Sequence, residues 1–235
     1  MSGSIRLYVE PPLVADATIA VTPAQAHYLG TVMRRGPGDA LRLFNGRDGE
    51  FQARIATIRR DQASLHVEDR LRPQAAEPDL WLAFALLKRD ATDLVAQKAT
   101  ELGVSALLPV LTARTNAHRV NQTRLVAIAI EAAEQSERLT IPEVRSPQPL
   151  AELLAGWPPG RALFVAVERA AAQPIPSTRG PAALLIGPEG GFTPSELDAM
   201  RANPFVTPVT LGPRILRAET ACIVGLALLQ APACG

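Results

Sequence analysis

AALLIGPEGGFTPSELDAMRANPFVTPVTLGPRILRAETACIV, residues 182–224, contains two short apolar runs, each ending in a glycine turn. Ala182 to Ile186 runs into Gly187-Pro188-Glu189-Gly190-Gly191, and Phe205 to Leu211 runs into Gly212-Pro213. Runs of this length bounded by turn residues read as buried strands. Between them lies a helix start: Thr193 as N-cap, Pro194 at the first helical position, and Glu196 completing a capping box. Phe192 and Leu197 are spaced for a hydrophobic staple across that cap. After the second turn, Arg214-Ile215-Leu216-Arg217-Ala218-Glu219-Thr220-Ala221 leads into an apolar helix through Leu229. Two strand ends carrying glycine loops side by side suit a ligand crevice at the carboxyl edge of a sheet. Glycine also makes ordinary turns, so composition alone leaves both readings open.

Moving towards the N-terminus, the pattern alternates. Trp81 to Leu87, Val104 to Val110 and Ala162 to Val167 read as buried strands, with Lys88-Arg89-Asp90 following the first. Ala91 to Leu102 is helical, since Leu94, Val95, Ala99 and Leu102 share a face and Gly103 suits the position just past a helix end. Arg114-Thr115-Asn116-Ala117-His118 is polar and can line a pocket, and Asn121 can cap a helix in which Leu125, Ile128, Ala132 and Gln135 recur. Leu153 and Leu154 belong to a short helix ending at Gly156. Apolar strands alternating with helices define an α/β domain over residues 80–235. Residues 73–79, rich in proline and alanine, read as a linker.

Residues 1–72 read differently. Ile5 to Val9, Leu41 to Phe44, Glu50 to Ile58 and Ala63 to Val67 are strand candidates, and Thr22-Pro23 with Gln25 starts one short helix running towards Arg34. Several short strands and one helix predict a small β-barrel. This stretch holds 10 arginines, no lysine and 8 acidic residues, a slight positive excess. Arg34, Arg35, Arg42 and Arg47 are candidates for RNA phosphates, with a solvated face as the plain alternative.

The chain has 235 residues and a formal charge of only +1, so a nucleic-acid partner cannot be inferred from net charge. Its two cysteines, Cys222 and Cys234, form neither a disulfide framework nor a metal cluster. His27 has no cysteine or histidine company that would make it a metal ligand. The start, MSGSIRLYVEP, turns polar too early for a signal peptide, and there is no run of 18 apolar residues. A cytoplasmic protein with no metal and no membrane partner is expected.

IGPEGGF with TPSE, followed by LGPRILRAETA, closely resembles the C-terminal signature of the bacterial 16S ribosomal RNA uridine-N3 methyltransferases, which belong to the SPOUT class. HYLGTVMRRGPGDALRLFNGRDG is similar to the family's N-terminal motif, in which His27, Arg34, Gly38, Asp39, Phe44, Gly46 and Gly49 fall on recognisable positions. Lys98 with Glu101-Leu102-Gly103-Val104, and Glu131-Ala132-Ala133-Glu134-Gln135-Ser136 with Arg138, match two further segments in the family's order. Glu137 stands where the family usually has glycine or another small residue, and Val126 where an aromatic is common. The resemblance covers about Leu7 to Leu229.

That resemblance implies a PUA-like β-barrel followed by an α/β SPOUT domain with a deep trefoil knot. It also implies a homodimer, S-adenosylmethionine as cofactor, and 16S ribosomal RNA of the small subunit as partner. The cofactor is expected at Val165, Val167, Gly187, Pro188, Glu189, Gly190, Gly191, Leu211, Gly212, Ile215, Leu216 and Arg217. Glycines permit close backbone approach, and Ile215 with Leu216 can flank an adenine. The reaction places a methyl group on uridine N3, whose proton must leave. Arg114 and Arg217 are the candidates for stabilising charge on the uracil oxygens, and Glu189 either accepts the proton, orients the base or holds the glycine loop. Lys88, Arg89, Arg114, Gln135 and Arg138 join the expected RNA contacts. Two other functions fit a related architecture: an RNA 2′-O-methyltransferase and a non-catalytic RNA-binding assembly factor. There is no strand-linked GxGxxG and no P-loop ending, which disfavours a Rossmann methyltransferase or a phosphate-binding loop.

Overall fold

The structure, a computed structural model, describes residues 5–115, 119–167, 172–178 and 180–231. Asn116, Ala117, His118 and Cys234 lie outside the described residues. The chain forms two units, one of residues 1–76 with 133–140, the other of residues 77–132 with 141–235.

In the first unit, β1 (Arg6–Tyr8), β2 (Thr18–Ala20), β3 (Ala40–Phe44), β4 (Glu50–Arg59) and β5 (Gln62–Arg72) form a five-stranded sheet in the order β1-β3-β4-β5-β2. β3, β4, β5 and β2 pair antiparallel, whereas β1 lies parallel to β3. Alternation along β4 and β5 turns Phe51, Ala53, Ile55, Leu65 and Val67 inward with Leu41 and Leu43, filling one core. Register shifts between Glu50 and Ala53 and between Ile55 and Thr57 bend the long β4–β5 ribbon around that core. The predicted capping box at Thr22 is present and starts α1 (Pro23–His27), but the helix does not continue to Arg34. It widens into a π-type turn over Tyr28–Val32, and Arg34 then reverses the chain at φ 51. β2 had no sequence signal, because three residues with one buried side chain show too little alternation to read. His27 is exposed at the end of α1.

Residues 133–140 are held in this unit by buried charges. Arg6 donates through Nη1 to the carbonyls of Ala133 (2.7 Å) and Glu134 (2.9 Å), and through Nη2 to that of Arg138 (2.7 Å). Its Nε donates to Glu50 at 2.6 Å, and its guanidinium lies 4.4 Å from the centre of the Phe44 ring. Arg72 donates to both Glu50 oxygens (2.9 and 3.1 Å) and to the Glu137 carbonyl (3.0 Å). Glu137 adopts φ 59, the left-handed region that favours glycine. A glycine would take that conformation without strain.

The second unit has β6 (Leu80–Ala85), α2 (Arg89–Glu101), β7 (Ala106–Leu111), α3 (Gln122–Gln135), β8 (Glu143–Val144), β9 (Gln148–Pro149), α4 (Leu150–Ala155), β10 (Ala162–Ala166), β11 (Gln173–Pro174), β12 (Ala182–Ile186), α5 (Pro194–Arg201), β13 (Val206–Thr210) and α6 (Ala218–Gln230). The last three residues of α3 fall in the first unit. The sheet is entirely parallel, ordered β11-β13-β10-β12-β6-β7-β8, with β9 also pairing β7. Parallel strands covered on both faces must be apolar throughout, and β12 is buried at all five positions. On one face Leu82, Phe84, Leu184 and Ile186 meet Val95, Ala99, Cys222 and Leu226. On the other, Leu108, Leu163, Val165 and Leu185 meet Leu153, Trp157 and Met200. A Cβ on Gly225 would come within 2.5 Å of Leu184 Cδ2, so α6 approaches β12 as closely as a backbone allows. Cys222 is buried there, and burial pushes its thiol far up, which suits packing and not reactivity.

Candidate active site

The carboxyl ends of β10, β12 and β13 and the chain leaving them enclose a cavity of about 1120 Å³. Its wall comprises Ala166 and Val167, then Ile186 to Phe192, then Thr210 to Ala218 with Ala221, closed by Leu197 and Arg201 of α5. Each loop is held by a local device. Gly191 takes φ 68 and donates to the Pro188 carbonyl at 2.8 Å, closing the first turn. Gly187 leaves no room for a side chain, since a Cβ there would sit 2.9 Å from the Phe192 ring. The Thr193 capping box is present, with Glu196 answering the cap from α5. Gly212 takes φ 118, and the Thr210 hydroxyl accepts its N–H at 3.2 Å. Ile215 is 56% exposed, an apolar side chain left open beside this concavity.

Of the expected cofactor residues, Val167, Gly187, Pro188, Glu189, Gly190, Gly191, Leu211, Gly212, Ile215, Leu216 and Arg217 stand together on this wall. Val165 does not. It is still inside β10, paired with Leu185 and Pro208, and its side chain is buried in the core. The strand ends one residue later, at Ala166, so the lining starts there.

Arg114 reaches this wall from the loop after β7, donating through Nη1 to the Gly190 carbonyl at 2.5 Å. Arg217 is exposed, and among the described residues it forms no ion pair with Glu189 or Glu219. Sequence reasoning gave Glu196 only a capping role. In the structure it also accepts the Ala113 N–H at 2.7 Å, next to Arg114. Burial pushes the Glu196 carboxyl up, but hydrogen bonds from Thr193 and Ala113, together with the charge of Arg114, outweigh that and hold it below the usual range. Leu197 was read only as half of a hydrophobic staple, and Arg201 and Arg214 had no assigned role, yet all three line the cavity.

The expected RNA contacts divide. Arg34 and Arg47 are exposed and Arg35 is half-buried, all in the first unit. Arg47 donates to the Glu10 carbonyl at 2.8 Å. Arg42 lies 3.9 Å from Glu50 and 4.0 Å from Glu137, inside the buried charge network's rim. Gln135 is exposed, but Arg138 is buried and donates to the Thr140 hydroxyl at 2.9 Å, which corrects its placement as an RNA contact. In the second unit Lys88 and Arg89 are exposed at the start of α2, and Arg89 borders a separate concavity of about 450 Å³ with Arg119 and Arg124. Arg124 there is bound to Asp93 at 2.6 Å. Among the described residues no group of His, Cys, Asp and Glu is arranged to hold a metal, and no helix is long and apolar enough to cross a membrane.

A parallel sheet with glycine loops at its carboxyl edge, preceded by a small β unit, defines a class. Residues 75–230 match the RNA methyltransferase domain and residues 21–68 the RNA methyltransferase PUA domain. Ribosomal RNA small subunit methyltransferase E of Rickettsia conorii is 34% identical over 232 residues, covering 96% of this chain and 94% of that protein. Among solved structures, a methyltransferase from Legionella pneumophila in complex with bound S-adenosylmethionine superposes with a TM-score of 0.88 at 30% identity, over 97% of each chain. The ribosomal RNA small subunit methyltransferase E of Neisseria gonorrhoeae bound to S-adenosyl methionine gives 0.87 at 29% identity, again over 97% of each chain. The fold is thus that of the SPOUT RNA methyltransferases with a PUA-like β unit, as expected. The chain belongs to the ribosomal RNA small subunit methyltransferase E family.

Proposed function

We propose that this protein transfers a methyl group from S-adenosylmethionine to N3 of a uridine in 16S ribosomal RNA, acting on the small ribosomal subunit. The observation that carries this reading is the single cavity into which the loops after β10, β12 and β13 converge, in a chain of this family. The residues present fit the cofactor. Gly187 makes room for Phe192 and Gly190 lies against Arg114, which packs the loop tightly at the cavity wall, while Ile215 and Leu216 offer an apolar pair for a flat ring. When bound, the cofactor supplies an electrophilic methyl group on a sulfonium. The chain's own task is to hold the uracil in line with it and to manage the charge that appears as N3 loses its proton. Arg114 and Arg217 bring guanidinium donors to the uracil oxygens, where charge develops. Glu189, exposed on the same wall, is the carboxylate placed to take the proton or orient the base.

The β unit supplies the RNA contacts through Arg34, Arg35 and Arg47, with Lys88 and Arg89 contributing from the second unit. The protein acts in the cytoplasm as a homodimer. A trefoil knot in the second unit belongs to this reading through the likeness to the SPOUT methyltransferases.

Mass mapping of RNA after incubation of small subunits with the protein and S-adenosylmethionine tests the reading. Cofactor-dependent methyl on base N3 is expected. Methyl on ribose would select a 2′-O-methyltransferase, and RNA binding without product an assembly factor.

A further inference from the structure

Arg114 sits on a loop, and a loop arginine needs an anchor if its guanidinium is to meet a substrate in one geometry. The loop is a turn over Thr112–Thr115, closed by the Thr115 N–H on the Thr112 carbonyl at 3.1 Å. The Thr115 hydroxyl also accepts the Thr112 N–H at 2.9 Å, and the two hydroxyls meet at 2.8 Å. These bonds shape the turn without fixing it to anything else. The attachment comes from α5. Glu196 Oε1 accepts the Ala113 N–H at 2.7 Å, while Oε2 accepts the Thr193 N–H at 2.8 Å and the Thr193 hydroxyl at 3.0 Å. One carboxylate therefore ties the turn that carries Arg114 to the end of the glycine loop on which Arg114 itself closes, at Gly190. A capping box needs only one of those oxygens, and glutamine serves it as well as glutamate. The second oxygen is the feature that capping leaves unexplained.

We propose that Glu196 is a positioning residue for methyl transfer: by bridging Ala113 and Thr193 it sets the register of Arg114 over the glycine loop, and so over the target base. The inference rests on the functional reading above, in which Arg114 faces the uracil. It differs from a stability role because the cap can survive while the bridge is cut. Ala113 occupies the second position of its turn, where proline is favoured, and Thr112 before it directly follows β7. Ala113→Pro thus removes one N–H and leaves Glu196, the cap and Arg114 in place.

The test measures single-turnover methylation of small subunits at saturating cofactor, cofactor affinity by calorimetry, and amide hydrogen exchange across residues 112–115. Ala113→Pro and Glu196→Ala are each expected to slow methyl transfer about 10-fold with cofactor affinity unchanged. Glu196→Ala should also speed exchange at Ala113. Glu196→Gln, which keeps the cap but has one acceptor oxygen for three donors, should fall between. Added to Arg114→Ala, Ala113→Pro should cost nothing more, since it acts through that side chain. Parent-like transfer in both Ala113→Pro and Glu196→Gln, or losses that multiply with Arg114→Ala, would overturn the proposal. Unchanged exchange at Ala113 in Glu196→Ala would overturn it as well, independently of activity. A parent protein that binds no S-adenosylmethionine while Ala113 stays protected would count against the functional reading instead of the bridge.

Discussion

Glu50 is the residue whose loss the structure lets us cost most directly. It is 1% exposed and receives three hydrogen bonds from Arg6 and Arg72, and Arg6 is itself buried while holding three backbone carbonyls of residues 133–138. Removing one member of such a pair strands the other charge, at about 3–5 kcal/mol. Glu50→Gln keeps the shape and one acceptor but turns an amide N–H₂ towards cationic donors, so the low end, about 3 kcal/mol, is expected. With a urea slope of about 2 kcal/mol/M, the midpoint of the first unit should fall by roughly 1.5 M. Both tyrosines, Tyr8 and Tyr28, lie in that unit and both tryptophans, Trp81 and Trp157, in the other, so absorbance of one and fluorescence of the other follow the two units separately. Burial pushes the Glu50 carboxyl up, but the hydrogen bonds and charges of Arg6 and Arg72 outweigh it and hold it below its ordinary 4.5. A depressed folded value means that the stabilisation is fully present above about pH 4.5 and fades as pH falls through the folded value. The gap between parent and Glu50→Gln should therefore narrow below pH 4.5. A variant whose tyrosine transition matches the parent at pH 7, or whose deficit is the same at every pH, would refute this reasoning.

Other outcomes follow from the same geometry. Arg217→Ala should lower turnover at least about 10-fold at saturating cofactor while leaving the melt near the parent's, because the side chain is exposed and among the described residues has no acidic partner; parent-like initial rates would exclude it from catalysis. Changing Arg34 and Arg35 together to alanine should weaken RNA binding and flatten its dependence on salt, with cofactor affinity unchanged; an identical affinity at two salt concentrations before and after would reject them as phosphate contacts. Glu137→Gly should stabilise the first unit by about 0.5–1 kcal/mol, since it relieves a left-handed glutamate whose side chain offers only an exposed 4.0 Å ion pair in return. A lowered urea midpoint would show that the strain is not there.

What could be read from the residues was local. The cap at Thr193, the glycine turns after β12 and β13 and the apolar strands each carry their signal within a few neighbours, so the sheet edge and most of its wall were legible. Val165 was misplaced by one residue, because where a strand's hydrogen bonding stops depends on how far β12 and β13 run beside it, not on its own sequence. Arg138 was misread for a related reason. An arginine just past the end of a helix looks solvent-facing, and its burial has no pattern in the neighbouring residues. The Glu196–Ala113 bond spans 83 positions and has no pattern at all in one chain. Glu137 is the exception, where a departure from a family motif coincided with a positive φ.

The inclusion of residues 133–140 in the first unit has a consequence for the order of synthesis. The amino-terminal strands are made first, yet Arg6, Glu50 and Arg72 meet their remaining partners only after the chain has been extended to Thr140, by which point β6, α2 and β7 have also been produced. Until then Arg6 lacks the three carbonyls that it bonds in the finished unit. The unit that starts first is thus obliged to finish late, and a break anywhere between residues 77 and 132 would cut through the wait between its two parts.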